Sequence, residues 1–111
     1  MNTLTKTERI RLLNDHFRRT FMGGKVMRTA AFADMPVEQQ TKVMLAIQRF
    51  VDFNDDNDPH GEHDFVSVDI SGEKYFAKMD YYAPDMEHGS EDPSDHMQTT
   101  RALTIMLASD Y

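Results

Sequence analysis

Apolar positions near the start of the chain recur at helical intervals: Ile10, Leu13 and Phe17 share one face, and Leu12 and Phe21 widen it. Thr5-Lys6-Thr7-Glu8 precedes them with the form of a capping box, in which the threonine hydroxyl takes the third amide and the glutamate reaches back. The pattern predicts a helix that begins there and stops at Gly23-Gly24, whose backbone is permissive. Lys25 to Thr29 leaves no room for a helix and contains Val26 and Thr29, so it reads as a short strand. Val43, Met44, Ile47, Phe50 and Val51 then recur at i, i+1, i+4, i+7 and i+8. They predict a second helix over 36–53, capped by Asp34 or a neighbour, with Pro36 in its first turn.

After a polar segment from Asn54 to His63 the period changes to two. Val66, Val68 and Ile70 alternate with Phe65, Ser67 and Asp69, and beyond Ser71-Gly72 the alternation resumes at Tyr75, Ala77, Met79 and Tyr81. This predicts a β-hairpin. A two-residue turn sets Val66 opposite Ala77 and Val68 opposite Tyr75 on an apolar face. The other face then pairs Asp69 with Lys74, Phe65 with Lys78, and His63 with Asp80. Residues 83–95 form an acidic loop, and Asp92-Pro93 or Ser94 opens a last helix with Thr99, Leu103 and Met106 on one face. Thr99, Thr100 and Thr104 allow a strand there, but length favours the helix. The expected fold is one α+β domain, residues 1–111, in the order α-β-α-β-β-α, with a short antiparallel sheet built on the hairpin and helices packed on one side.

Composition narrows the function classes. There is no cysteine, which excludes disulfides, thiolate nucleophiles and Cys-ligated zinc and fits a cytoplasmic protein. No apolar run approaches the ~20 residues that cross a bilayer, and no secretory leader pattern opens the chain. Nine methionines and no tryptophan make for an adaptable core. The net charge of −7 conceals a division: residues 1–51 carry nine Lys or Arg against four acids, and residues 52–111 carry three against fifteen. Such an acidic half repels phosphate backbones and attracts cationic partners. Direct nucleic-acid binding is therefore disfavoured there, although Arg18, Arg19, Lys25 and Arg28 could offer a basic face in the first half.

Candidate chemistry concentrates around Asp55 to Phe65. An EF-hand fails, since His60 falls where the fifth ligand belongs and Ser67 where a glutamate is required. His60 and His63 could hold a transition metal, but Asp58-Pro59-His60-Gly61 reads more simply as a type I turn, and no metal is expected. A His63 and Asp80 pair, with Glu62, would suit a small hydrolase, because a carboxylate on one imidazole nitrogen leaves the other as a base. No nucleophile elbow accompanies it, and Ser90 is the nearest loop serine. Gly23-Gly24-Lys25 lacks the remainder of a phosphate loop.

The run D-N-D-P-H-G-E-H-D-F, then K-M-D-Y-Y and T-T-R-A-L-T-I-M-L-A-S-D-Y, with N-D-H-F-R-R near Asn14, resembles a family of short bacterial proteins described as a domain of unknown function. The resemblance spans nearly the whole chain and implies a setting on mobile elements, with no cofactor or catalytic residue to carry over. In that family the last helix more often opens with D-P-x-D-P, where this chain has His96 for the second proline.

The leading expectation is a small acidic protein-binding module, an inhibitor of a host nucleic-acid-handling defence system (anti-CRISPR or anti-restriction) that acts by charge mimicry. Its contact residues would be Asp85, Glu87, Glu91, Asp92 and Asp95, its partner a protein with a basic surface, and it would need no cofactor. The alternative is the His63, Asp80 and Glu62 enzyme. A third reading is a regulator touching DNA through Arg18 and Arg19.

Overall fold

A computed structural model describes residues 3–111. The first helix, α1, spans Lys6–Thr20 and has the expected capping box: Glu8 N–H donates to Thr5 Oγ1 at 3.1 Å and Thr5 N–H to the Glu8 carboxylate at 3.2 Å. The helix ends on Phe21, left-handed at φ 57°, before either glycine. Gly24 serves close approach instead. It opens strand β1 (Gly24–Arg28), where an added Cβ would lie 2.6 Å from the Arg101 carbonyl oxygen and 2.7 Å from the Phe17 ring.

The helix expected over 36–53 forms but is shorter, and a short helix that the pattern did not predict precedes it. Thr29 caps a short α2 (Ala30–Ala33), which Asp34 closes at its C-terminal end, and Pro36 stands at the N-cap of α3 (Val37–Arg49) without a side-chain cap bond. Helix α3 stops at Arg49 because Phe50 turns extended, and Val51 lies outside the apolar stripe, 67% exposed.

Strands β2 (Phe65–Ile70) and β3 (Glu73–Tyr82) form the expected hairpin, with Val66 opposite Ala77 and Val68 opposite Tyr75. Ser71 and Gly72 both have positive φ, 54° and 82°, the mirror-image turn whose twist matches that of the strands. The final segment corrects the sequence reading. It is a strand, β4 (Thr100–Leu107), followed by a 3-10 turn at Ala108–Asp110. The sheet order is β1-β4-β3-β2, with β4 antiparallel to β3 and parallel to β1, so the sheet is mixed rather than antiparallel. An interior strand buries both faces, and Arg101, Ala102, Leu103, Ile105 and Met106 are all buried. A run apolar on both sides has no clean period of two, which is why it resembles a buried helix in sequence.

Phe17, Phe32, Val43 and Ile47 from the helices pack on Val66, Val68, Tyr75, Ala77, Met79, Leu103 and Ile105 of the sheet. Burying one such large apolar side chain contributes about 1.5–3 kcal/mol. All three helices therefore cover one face, as expected. The opposite face carries Phe65, Phe76, Lys74 and Lys78 by strand parity.

Gly24→Ala should destabilise the protein by about 1–3 kcal/mol, because the new methyl meets backbone and a packed ring. A lower urea midpoint at unchanged m value measures this, and a wild-type midpoint would refute it.

Candidate functional site

Helix α1 presents Arg11, Asn14, Asp15 and Arg18 at i, i+3, i+4 and i+7, a polar stripe alongside the apolar one. Three consecutive residues of the loop entering β2 are bound by it. Arg11 Nε donates to the Gly61 carbonyl at 2.7 Å and Asn14 Nδ2 to the Glu62 carbonyl at 2.9 Å, and the Asp15 carboxylate lies 2.8 Å from His63 Nδ1. His63 is left-handed at φ 55°. Asp58 brackets it from the other side, accepting the His63 N–H at 3.0 Å with one oxygen and lying 3.5 Å from Nε2 with the other. The imidazole also stacks on Phe53, with centroids 3.7 Å apart and planes 6° apart.

Arg18 completes this half of the network at 1% exposure. One terminal nitrogen donates to Asp15 at 2.9 Å, and the other to the carbonyls of Ile47, Gln48 and Phe50 at 3.0, 3.2 and 3.0 Å. Those acceptors lie at the end of α3, where helix carbonyls lack partners and the dipole is negative. A second half centres on Asn14, whose Oδ1 accepts from Arg101 Nε at 2.7 Å and whose Nδ2 donates to the Tyr81 hydroxyl at 2.8 Å. Tyr81 in turn donates to Glu62 Oε1 at 2.7 Å. Burial, and then the Glu62 bond, push the Tyr81 phenol far above its ordinary range, and burial lowers the Arg101 guanidinium. Arg101 also donates to the Pro93 carbonyl, tying the acidic loop to the sheet.

His63 and Glu62 from the expected catalytic set thus fall in one network, but Asp80 does not join them. The hairpin ladder does not extend to His63, whose left-handed backbone precedes β2, and the nearby backbone bond runs from Met79 N–H to the Asp64 carbonyl. Asp80 instead lies 3.5 Å from Lys78 Nζ. Both imidazole nitrogens of His63 face carboxylates, so neither is free to take a substrate proton. The Ser90 hydroxyl is engaged with Thr99 and the Gln98 carbonyl. The turn at Asp58 to Gly61 forms, closed by Gly61 N–H to the Asp58 carbonyl at 3.1 Å. Among the described residues the metal-type side chains that converge are Asp85, Glu87 and His88, all exposed; His60 and His63 are not of that group. The basic face loses Arg18 to the interior, and Arg28 donates to Gln40 Oε1, so the DNA reading is left without its principal cation.

The acidic loop is tightly organised. Asp85 accepts from the N–H groups of Glu87 and His88 at 2.8 and 3.2 Å and lies 2.9 Å from the His88 ring; Asp92 accepts from Ser94 N–H, and Asp95 from Met97 N–H and Gln98 Nε2. These bonds hold the three carboxyls below their ordinary range: the Glu87 N–H leads for Asp85, the Ser94 hydroxyl for Asp92 and the Gln98 amide for Asp95. Glu87 and Glu91 are exposed. Among the described residues no Lys or Arg lies within ion-pair distance of Asp85, Glu87, Glu91, Asp92 or Asp95.

Residues 28–110 match the model of a family described as protein of unknown function (DUF3768). The chain belongs to that family. No curated protein and no solved structure matches it. The matched DUF3768 region includes Asp58, Glu62, His63, Tyr81, Arg101 and the acidic loop, whereas Asn14, Asp15 and Arg18 precede it. Glu62, His63, Tyr81 and Arg101 of the matched region thus each take a partner from α1. None of the described helices is long and apolar enough to cross a membrane.

Arg18→Ala removes one member of a buried ion pair and strips the end of α3, so unfolding free energy should fall by about 3–5 kcal/mol in urea titration. For Tyr81 the folded pKa lies above the unfolded one, so its contribution is present below about pH 10 and lost as pH rises beyond it. Comparing urea midpoints at about pH 9 and about pH 11, Tyr81→Phe should lose less stability than wild type across that interval.

Proposed function

We propose that this DUF3768 protein is a non-catalytic protein-binding module of the cytoplasm, whose contact surface is the acidic loop and whose partner presents a basic surface. The observation that carries the reading is the state of the loop carboxylates: Asp85, Asp92 and Asp95 are held in place by the loop's own donors, and none of the loop acids is paired with a lysine or arginine among the described residues. Anions already in place lose little conformational entropy on binding. Their field raises the encounter rate with a cationic surface and falls off as salt rises.

In its narrower form the module is an inhibitor encoded on a bacterial mobile element that occupies the nucleic-acid site of a host defence enzyme, setting carboxylates where phosphates bind. Small size, a net charge of −7 and the exposed loop support that form. The buried network around His63 and Arg101 then acts as a scaffold, since Arg101 and Thr99 bind the carbonyls of Pro93 and Asp92 and so hold the loop against the sheet.

The test is a partner recovered by affinity capture from the source cells and then titrated with purified protein. Glu87→Lys with Glu91→Lys, two side chains that hold no loop hydrogen bond, should weaken binding about tenfold or more and flatten its salt dependence. Affinity unchanged by the double reversal in a variant of wild-type melting temperature would remove the proposal.

A further inference from the structure

Two arginines of the described residues are buried, and they differ in counterion. Arg18 has the Asp15 carboxylate at 2.9 Å, whereas Arg101, 3% exposed, has no carboxylate within ion-pair distance among the described residues. Its Nε and Nη2 donate to neutral acceptors, Asn14 Oδ1 and the Pro93 carbonyl, and Nη1 has no partner among the described residues. Glu62, whose field reaches it, is bonded to the Tyr81 hydroxyl instead. A guanidinium taken out of water without a counterion is costly, and an anion brought against it recovers part of that cost.

Arg101 lines a cavity of about 200 Å³ between α1 and the segment that leads into β4. Leu13 and the buried Phe17 supply an apolar wall, and the exposed His16, Met22 and His96 stand at its mouth. Arg101 and the two histidines are its ionisable groups, and no acid of the loop lines it. The Asp95 carboxylate, beside His96 in the chain, is turned to Met97 N–H and Gln98 Nε2. At the negative end of α1 the His16 carbonyl accepts from Thr20 Oγ1 at 2.8 Å and the Phe17 carbonyl from Phe21 N–H at 2.7 Å, so both are engaged.

Donor count and space select the occupant. Nη1 and the imidazoles, each of which carries at least one N–H in either protonation state, can meet both oxygens of a carboxylate. A phosphate would set further oxygens against Leu13 and Phe17, where no donor meets them. A cavity of about 150 Å³ already admits a benzene ring, so a body of that size fits beside the guanidinium. We propose that this cavity binds a small apolar monocarboxylate, its oxygens between Arg101 and the two histidines and its body against Leu13 and Phe17. A single charge also suits an acidic molecule, since repulsion from the net charge of −7 grows with the charge of the ligand.

The experiment is a titration of isotope-labelled full-length protein with benzoate, isobutyrate, benzamide and inorganic phosphate, followed by backbone amide signals and by the Nε–H signal of Arg101. Saturable shifts of Arg101 Nε–H and of the His16 and His96 amides with benzoate or isobutyrate are expected. Benzamide, the same ring without the charge, should bind about tenfold or more weakly. Arg101 also holds Asn14 and Pro93, so the substitution is made at the mouth. Among the described residues the histidine rings with hydrogen bonds are His63 and His88, which leaves His16 and His96 replaceable. His16→Ala with His96→Ala should weaken the carboxylate about two- to tenfold and keep the melting temperature of the free protein. Absence of saturable shifts with both carboxylates, benzamide affinity equal to that of benzoate, phosphate binding tighter than either carboxylate, or full carboxylate affinity in the folded double variant would overturn the proposal.

Discussion

A buried guanidinium costs several kcal/mol unless the groups around it are spent on its charge and its hydrogens, and the interior of this molecule is arranged to meet that demand at Arg18. Its two terminal nitrogens bind Asp15 and three carbonyls at the end of α3, which joins α1 to α3 at the point where α3 would otherwise expose unpaired acceptors. Asp15 shares the same oxygen with His63, so the position of the arginine is passed on to the residue that leads into β2. Phe53 adds an apolar surface to both side chains, with the imidazole stacked on it and the guanidinium 5.3 Å from its centroid. Of the polar atoms of Arg18, Nε alone has no partner.

This arrangement explains the surface as well as the interior. A chain whose first half is basic and second half acidic could neutralise itself by pairing arginines with carboxylates across the halves. Here the N-terminal arginines do something else: Arg11 binds the Gly61 carbonyl, Arg18 the carbonyls of α3, and Arg28 the Gln40 amide. Backbone carbonyls consume hydrogen-bonding capacity without cancelling net charge. The loop carboxylates therefore keep their field, and their own N–H and side-chain donors keep them ionised.

The sheet divides the remaining chemistry by parity. On its helix-covered face stand Leu103, Ile105 and Ala77, with Tyr81 and Arg101 opposite each other at the polar end under Asn14. On the other face stand the aromatic rings and the lysines. A shift of one residue in the β2 and β3 register would exchange these sets, and the tight turn at Ser71-Gly72 prevents it.

Local interactions were legible in the sequence. The capping box at Thr5 and Glu8, the strand near Lys25, the hairpin and its register each depend on residues close in the chain, where period and turn chemistry decide the outcome. The acidic character of the loop was visible for the same reason. Tertiary structure decided the rest. The last segment became a strand because it fills the place between β1 and the edge of β3 that β2 does not pair, a demand that no window on residues 99–107 contains. His63 found Asp15 rather than Asp80 because α1 crosses the loop, and that contact spans 48 residues of sequence. A trace of the site was present nonetheless, in Arg11, Asn14, Asp15 and Arg18 at the spacing of a buried helical face and in Arg101 inside an apolar run. Side chains with hydrogen-bonding capacity at core positions mark a buried network, but which of them meet depends on how α1 and α3 cross above the sheet, and long-range packing alone sets that.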